Sequence, residues 1–298
     1  MGLIGELAAL ATSLTFAVNS TFFTVAGRKV GSVVVNRVRL VFAFFFLIIA
    51  HGLFLGTLFP VDAGRDRWLW LGLSGIVGLV LGDAFLFQAF VWVGARISML
   101  MMSLAPIIAA VTAWVFLGES LSWLQMMGIA LTIGGLIWVI LENNHYRNRE
   151  NRNYLKGILF GLGGAAGQAL GLVLAKYGLE GSFSPLSGNF IRMSTAMIVM
   201  WLITWAQGKG ISTVKTVLTD KRALRFIVGG AFIGPFVGVS LSLLALQYTD
   251  VGVASTLMAL PPIFLLPVGY FFFQERFGWG AVVGTVMALS GVAVLFLV

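Results

Sequence analysis

The chain has 298 residues, of which 59% are hydrophobic and 10% charged, whereas soluble domains carry roughly 25% charged residues; an ordinary water-soluble fold is excluded. With no cysteine and two histidines, disulfides and thiol chemistry are ruled out and a metal site has too few ligands, so neither metal nor cofactor is expected. A net charge of +8 would suggest nucleic acid in a soluble protein, but here the basic residues fall in short loops between apolar runs, where they set membrane topology.

Ten apolar runs, each near the length that crosses a hydrocarbon core of ~30 Å, are predicted at 3–25, 33–55, 68–90, 95–117, 122–142, 155–177, 186–207, 224–247, 252–273 and 277–297. All should be helices, because a segment in lipid must satisfy its own backbone hydrogen bonds. Span 1 lacks a basic leader region and continues past Asn19, so it reads as a membrane span rather than a cleaved signal. Span 2 contains Arg39, and span 3 carries Gly78, Gly82 and Asp83. Span 4 has Ser103, Pro106 and Trp114 and closes on Glu119; span 5 is rich in glycine. The polar stretch His145 to Lys156 links the two halves. Gln168 lies in span 6, Arg192 in span 7, Gln247 in span 8, and Ser255, Pro262 and Tyr270 in span 9, which is followed by Glu275.

The second half repeats the first. Adding 156 carries Gly78 to Gly234, Gly82 to Gly238, Met102 to Met258, Pro106 to Pro262, Trp114 to Tyr270, Glu119 to Glu275, Gly128 to Gly284 and Gly135 to Gly291 without a gap. An offset of 153 aligns Asn36, Arg39 and Ala43 with Asn189, Arg192 and Ala196, and Asn19 falls loosely opposite Gln168. Five spans per half is odd, so the second half must enter the membrane from the other side. The predicted fold is therefore an all-α integral membrane protein: ten transmembrane helices in two inverted-topology five-helix repeats, 1–142 and 155–298, joined by a linker at 143–154.

Charge costs single out the functional candidates. An ionised side chain at mid-helix costs ~2.5–3.5 kcal/mol on translocon scales. Arg39 and Asp83 both lie ~10 Å below one membrane face on antiparallel spans, given 1.5 Å per residue, and are predicted to pair; the alternative is a snorkelling arginine and a protonated aspartate. Val239 stands at the position equivalent to Asp83, so Arg192 lacks the matching acid. Depth makes Glu119 its nearest candidate partner, and Glu275 could serve Arg39. Pro106 and Pro262 each remove a helix hydrogen bond, predicting kinks near mid-span that could hinge. The glycines around Gly161, Gly163 and Gly167 read as helix packing, not a dinucleotide motif.

The segments LMMSLAPIIAAVTAWVFLGESLSWLQMMGIALTIGG (Leu100 to Gly135) and TLMALPPIFLLPVGYFFFQERFGWGAVVGTVMALSGV (Thr256 to Val292) resemble the drug/metabolite transporter superfamily, in particular its ten-helix EamA-type permeases. The resemblance implies a cavity lined by spans 1, 3, 4, 6, 8 and 9, with spans 2 and 7 as gates and 5 and 10 outside. It also implies cytoplasmic termini. The loop charges oppose that: odd-numbered loops hold Arg28, Lys29, Arg96, Arg147, Arg149, Arg152, Lys156, Lys209, Lys215, Lys221, Arg222, Arg225 and Arg276, the even ones only Arg65, Arg67 and Lys176. The positive-inside rule then puts both termini outside.

Small multidrug exporters of the superfamily use a buried glutamate in their first helix, where this chain has Asn19; phosphate-carrying exchangers need cavity cations, and spans 4, 8 and 9 offer only Arg96, at the very edge of span 4. The expected substrate is a small neutral or zwitterionic, amino-acid-like metabolite, exported across the cell membrane past Asn19, Asp83, Ser103, Trp114, Gln168, Gln247, Ser255 and Tyr270. Alternatives are a proton-coupled multidrug exporter and, outside the class, a membrane scaffold or an intramembrane enzyme. No nucleophile, base and orienting-acid set supports an enzyme. The partners expected are the substrate and the bilayer, with a monomer sufficing.

Overall fold

A computed structural model describes residues 2–108, 111, 122–146, 153–179, 181, 183–248, 254, 257–273 and 278–297. Among them every regular element is helical: α1 Gly2–Val30, α2 Ser32–Leu55, α3 Arg65–Ser74, a π-helical segment Gly75–Gly82, α4 Asp83–Met102, α5 Trp123–Tyr146, α6 Tyr154–Gly178, α7 Pro185–Ala206, α8 Gly210–Thr219, α9 Lys221–Ala231, a second π-helical segment Phe232–Gly238, α10 Val239–Tyr248, α11 Pro261–Phe273 and α12 Trp279–Leu297. Among the described residues seven helical stretches are long and apolar enough to cross a membrane: Leu3–Val30, Ser32–Leu55, Arg65–Met102, Trp123–Leu141, Tyr154–Gly178, Pro185–Ala206 and Lys221–Ala245. The third is 38 residues long and is broken at Gly94, where φ is 85°. Only glycine reaches that conformation cheaply, so the chain turns where spans 3 and 4 were expected to meet.

The surface is inverted relative to a soluble protein. Leu53 and Phe54 are 77% exposed, and Ile198, Leu202, Trp123 and Phe271 also point outward, while Asn36, Asn189, Arg39, Asp83 and Arg192 are buried. Large apolar side chains on the exterior around a core that holds charged groups suit a hydrocarbon solvent.

Tertiary contacts sort the loops onto two sides. Lys29 pairs with Asp220 at 3.6 Å, and Arg37 donates to Thr213 Oγ1 and Gln207 Oε1 at 3.0 Å each, so the turn after α1 and the loop after α7 share one face. On the other, His51 Nε2 meets Ser187 Oγ at 3.0 Å and Gln247 Nε2 donates to Phe183 O at 2.7 Å. His51 is thus a buried tether between α2 and α7. Asp220 also caps α9, accepting from Ala223 N at 2.8 Å; that bond, with Lys29 alongside, holds its carboxyl below the ordinary carboxylate range.

Two features differ from the sequence expectation. The loop after α7 contains α8, whose Ile211, Val214 and Leu218 are exposed while Thr213 and Val217 face inward; with Lys209 and Lys215 on its flanks it has the pattern of a helix lying in the membrane interface. Spans 4 and 9 do not kink at their prolines but break a turn earlier, at 103–104 and 259–260, positions that match under the 156 offset. The chain tightens there through Ser103 N to Leu100 O, 3.2 Å, and Leu260 N to Leu257 O, 3.4 Å. Pro106, and Pro262 with Pro261, then sit in the first turn of the following helix, where a missing N–H costs nothing.

Helices α5 and α12 are repeat equivalents and pack on each other through exchanged glycine contacts. A Cβ on Gly135 would lie 2.6 Å from Gly284 O, and one on Gly291 would lie 2.5 Å from Gly128 O. Contacts of the form i with j′ and j with i′ are those of a two-fold axis. Gly135→Ala should therefore overpack this seam, where the obstructing atoms are backbone, and lower stability by about 1–3 kcal/mol. Gly64→Ala, at a site with open space, should be neutral, and thermal unfolding in detergent compares the two.

Candidate functional site

Between the halves lies a cavity of about 180 Å³. Phe16, Asn19 and Phe23 of α1 line it, with Leu79 and Asp83 at the first π segment, Met99, Met102, Ser103, Ala105 and Pro106 around the break, Gln168 and Leu172 of α6, Gly234 and Pro235 of the second π segment, Ser242 of α10, and Met258, Ala259 and Pro261. Spans 1, 3, 4, 6, 8 and 9 thus all contribute. So do α2 and α7, each through one side chain, Arg39 and Arg192.

The π segments occupy equivalent places in the two repeats and widen the backbone where the cavity needs acceptors. In the second, Pro235 cannot donate to the carbonyl a turn back, and the helix register slips. In the first, side chains take the carbonyls: Gln168 Nε2 donates to Gly78 O at 3.2 Å and Arg39 Nη2 to Leu79 O at 3.3 Å. Asn189 Nδ2 donates to Pro235 O at 2.9 Å, and Leu79 and Pro235 are related by the 156 offset. The correspondence of Asn19 with Gln168 has the same form. Gln168 reaches over Gly78, and Asn19 presses on Gly234 so closely that a Cβ there would fall 1.7 Å from its Nδ2.

Asp83 is 5% exposed and sits at the centre of a hydrogen-bonded cluster. Its Oδ2 is bonded to Arg39 Nη2, and its Oδ1 accepts from Gln168 Nε2 at 2.6 Å. Arg39, 2% exposed, is further clamped by Asn36, whose Oδ1 accepts from Nε at 3.0 Å and Nη2 at 2.9 Å, and its guanidinium carbon lies 4.7 Å from the centroid of the Phe87 ring. Arg39 does not snorkel. Asn36, spaced i, i+3 from the arginine it orients, went unassigned in the sequence, although that spacing puts both on one helix face.

Arg192 has no such shell. Asn189, the equivalent of Asn36, turns instead to Pro235 O and to Ser240 Oγ at 3.1 Å. Among the described residues Arg192 Nε is buried without a hydrogen-bond partner and no carboxylate lies within ion-pair distance, while Asp83 attracts it from farther away.

The remaining candidates divide. Ser103 lines the cavity, its Oγ donating to Leu100 O at 2.6 Å, as does Pro106; Pro262 adjoins the lining residue Pro261. Gln247 and Tyr270 do not belong to it. Gln247 lies beyond the cavity end of α10, where it ties down Phe183, and Tyr270 is 60% exposed on the outer face of α11 against Phe271. Helical phase, invisible in an all-apolar span, turns Tyr270 away, and depth carries Gln247 past the cavity. Trp114, Glu119, Ser255 and Glu275 lie outside the described residues.

The model of the EamA-like transporter family matches residues 3–141 and again 155–297. The chain belongs to the EamA-like transporter family. Each match covers one half, so this EamA-like protein is a multi-pass membrane transporter of the drug/metabolite transporter superfamily built from two EamA repeats. No curated protein matches it in sequence. Among solved structures, one described only as the crystal structure of a protein aligns with 97% of this chain and 96% of its own at a TM-score of 0.61 and 16% identity, a likeness of fold.

In this EamA-like fold the buried cluster yields a test. Removing one partner of a buried pair typically costs about 3–5 kcal/mol, because the other charge is stranded. Arg39→Gln and Asp83→Asn should each destabilise the protein, Asp83→Asn more, since a lone aspartate can take up a proton and a lone arginine cannot. The double variant should be more stable than the sum predicts by at least ~1 kcal/mol. Additive thermal-unfolding shifts would mean the pair is not coupled.

Proposed function

We propose that this chain is a secondary transporter that exports a small amino-acid-like metabolite across the cell membrane by alternating access. In this reading two inverted halves of five spans each rock about the cavity. The observation that carries it is the cavity itself: a buried polar cluster at the interface of two repeats, flanked by two helices interrupted at matching positions. Interrupted helices at a repeat interface are where transporters of this general plan hold substrate. The volume, about 180 Å³, is below the ~300–1,000 Å³ of drug-sized pockets, which supports a small metabolite over a multidrug role. The apolar share of the lining and the single acid among its described residues, Asp83, already engaged by Arg39 and Gln168, disfavour multiply charged cargo.

Proteoliposomes loaded with individual amino acids should show saturable counterflow for at least one. Phosphorylated sugars and nucleotide sugars should give none, and saturable exchange of either would defeat the substrate assignment.

Orientation follows from the basic loops. The linker around Arg149 should face the cytoplasm and both termini the outside. A cysteine introduced as Asn148→Cys should resist an impermeant thiol reagent in intact cells and react after permeabilisation; labelling of intact cells would reverse the topology.

A further inference from the structure

The one cation in the described cavity lining without a bonded partner is Arg192, and it is 2% exposed. Its repeat equivalent Arg39 has an acid, an amide and an aromatic face, whereas Arg192 has Val239 where Asp83 would be. The described ionisable lining of the cavity is Arg39, Asp83 and Arg192, one positive charge in excess (2 − 1). A buried guanidinium left with open donors is costly, and a visiting anion would relieve it.

We propose that Arg192 is a carboxylate-binding subsite, and that the cavity takes small monocarboxylates with apolar tails; this rests on the transport reading and names its substrate class. Arginine's planar fork fits a carboxylate in a bidentate manner. Arg192 lines the cavity, and its Nη2 lies beside Gly78, where a built Cβ would stand 3.6 Å away. Phe16, Phe23, Phe87 and Met102 form an apolar wall for the tail. The single excess charge matches one carboxylate and not a phosphate dianion. No free acid is left among the described lining residues to hold an ammonium group, because Asp83 already accepts from Arg39 and Gln168. The carboxylate is therefore the recognised group, and an α-amino group is dispensable.

The test uses purified full-length protein with three probes of one skeleton: 4-methylpentanoate, L-leucine and L-leucinamide. Ligand-induced thermal shifts in detergent read binding, and counterflow in proteoliposomes reads transport. The wild type should bind 4-methylpentanoate at least as well as L-leucine and should not bind the amide. Arg192→Gln should weaken binding of the acids about tenfold to a hundredfold, the range for a hydrogen bond to a charged group, and Arg192→Lys should fall between. If Arg192→Gln does not fold, the ranking of the probes on the wild type and Arg192→Lys decides. Binding of the amide as well as the acid, no binding of any probe, or acid preference surviving in Arg192→Gln would overturn the proposal. Acid-selective binding without counterflow of any probe would keep the subsite and sink the transport reading instead.

Discussion

A buried aspartate and a buried arginine are tolerable together only if each satisfies the other, and the centre of this molecule is organised around that one pair. Asp83 takes bonds from Arg39 and Gln168; Arg39 takes its remaining acceptors from Asn36 and Leu79 O. These partners come from α2, α6 and the π segment preceding α4, so one cluster fixes two elements of the first half against the first helix of the second. Removal of any member strands a buried polar atom at a desolvation cost. The π segment serves the same condition, since its loosened carbonyls are the acceptors that a regular helix would have kept for itself.

Around that cluster the two repeats agree in backbone and disagree in chemistry. The π segments, the helix breaks before Pro106 and Pro262, and the exchanged glycine contacts of α5 and α12 all obey the sequence offset. The side chains at the heart of the cavity do not: Asp83 faces Val239, and Asn36 and Asn189 turn to different partners. Duplication supplied the frame, and divergence at a few positions gave it a polar direction.

How much of this was readable in advance follows from what lipid makes costly. Hydrophobic length located the spans, and the 156 offset paired Gly78 with Gly234 and Pro106 with Pro262, because a repeated backbone must reuse its glycines and prolines at close approaches and breaks. Arg39 and Asp83 stood out because charge in an apolar run needs a reason, and depth counting brought them together. Helical phase was not readable. In spans that are apolar all round, no periodic pattern says which face is inward, so the sequence points Tyr270 into a cavity that it does not line; Gln247 differs by depth instead, and the role of Asn36 is legible only from its i, i+3 spacing to Arg39. The amphipathic α8 was missed because its apolar positions, Ile211, Val214 and Leu218, are diluted among lysines and threonines in what reads as a polar loop. The π register was hidden for a simpler reason: Pro235 marks it in one repeat, but in the other it depends on side chains arriving from α2 and α6.

The lone acid has an energetic consequence for the molecule as a whole. If two inverted halves were identical, exchanging their conformations would turn the protein into its own image, and the states open to either side would have equal free energy. Asp83 without a counterpart at Val239 removes that degeneracy. The Arg39 clamp belongs to one half, so in the proposed alternating-access cycle the two conformations would differ in free energy, and the unmatched pair of positions would bias the resting population of the empty protein.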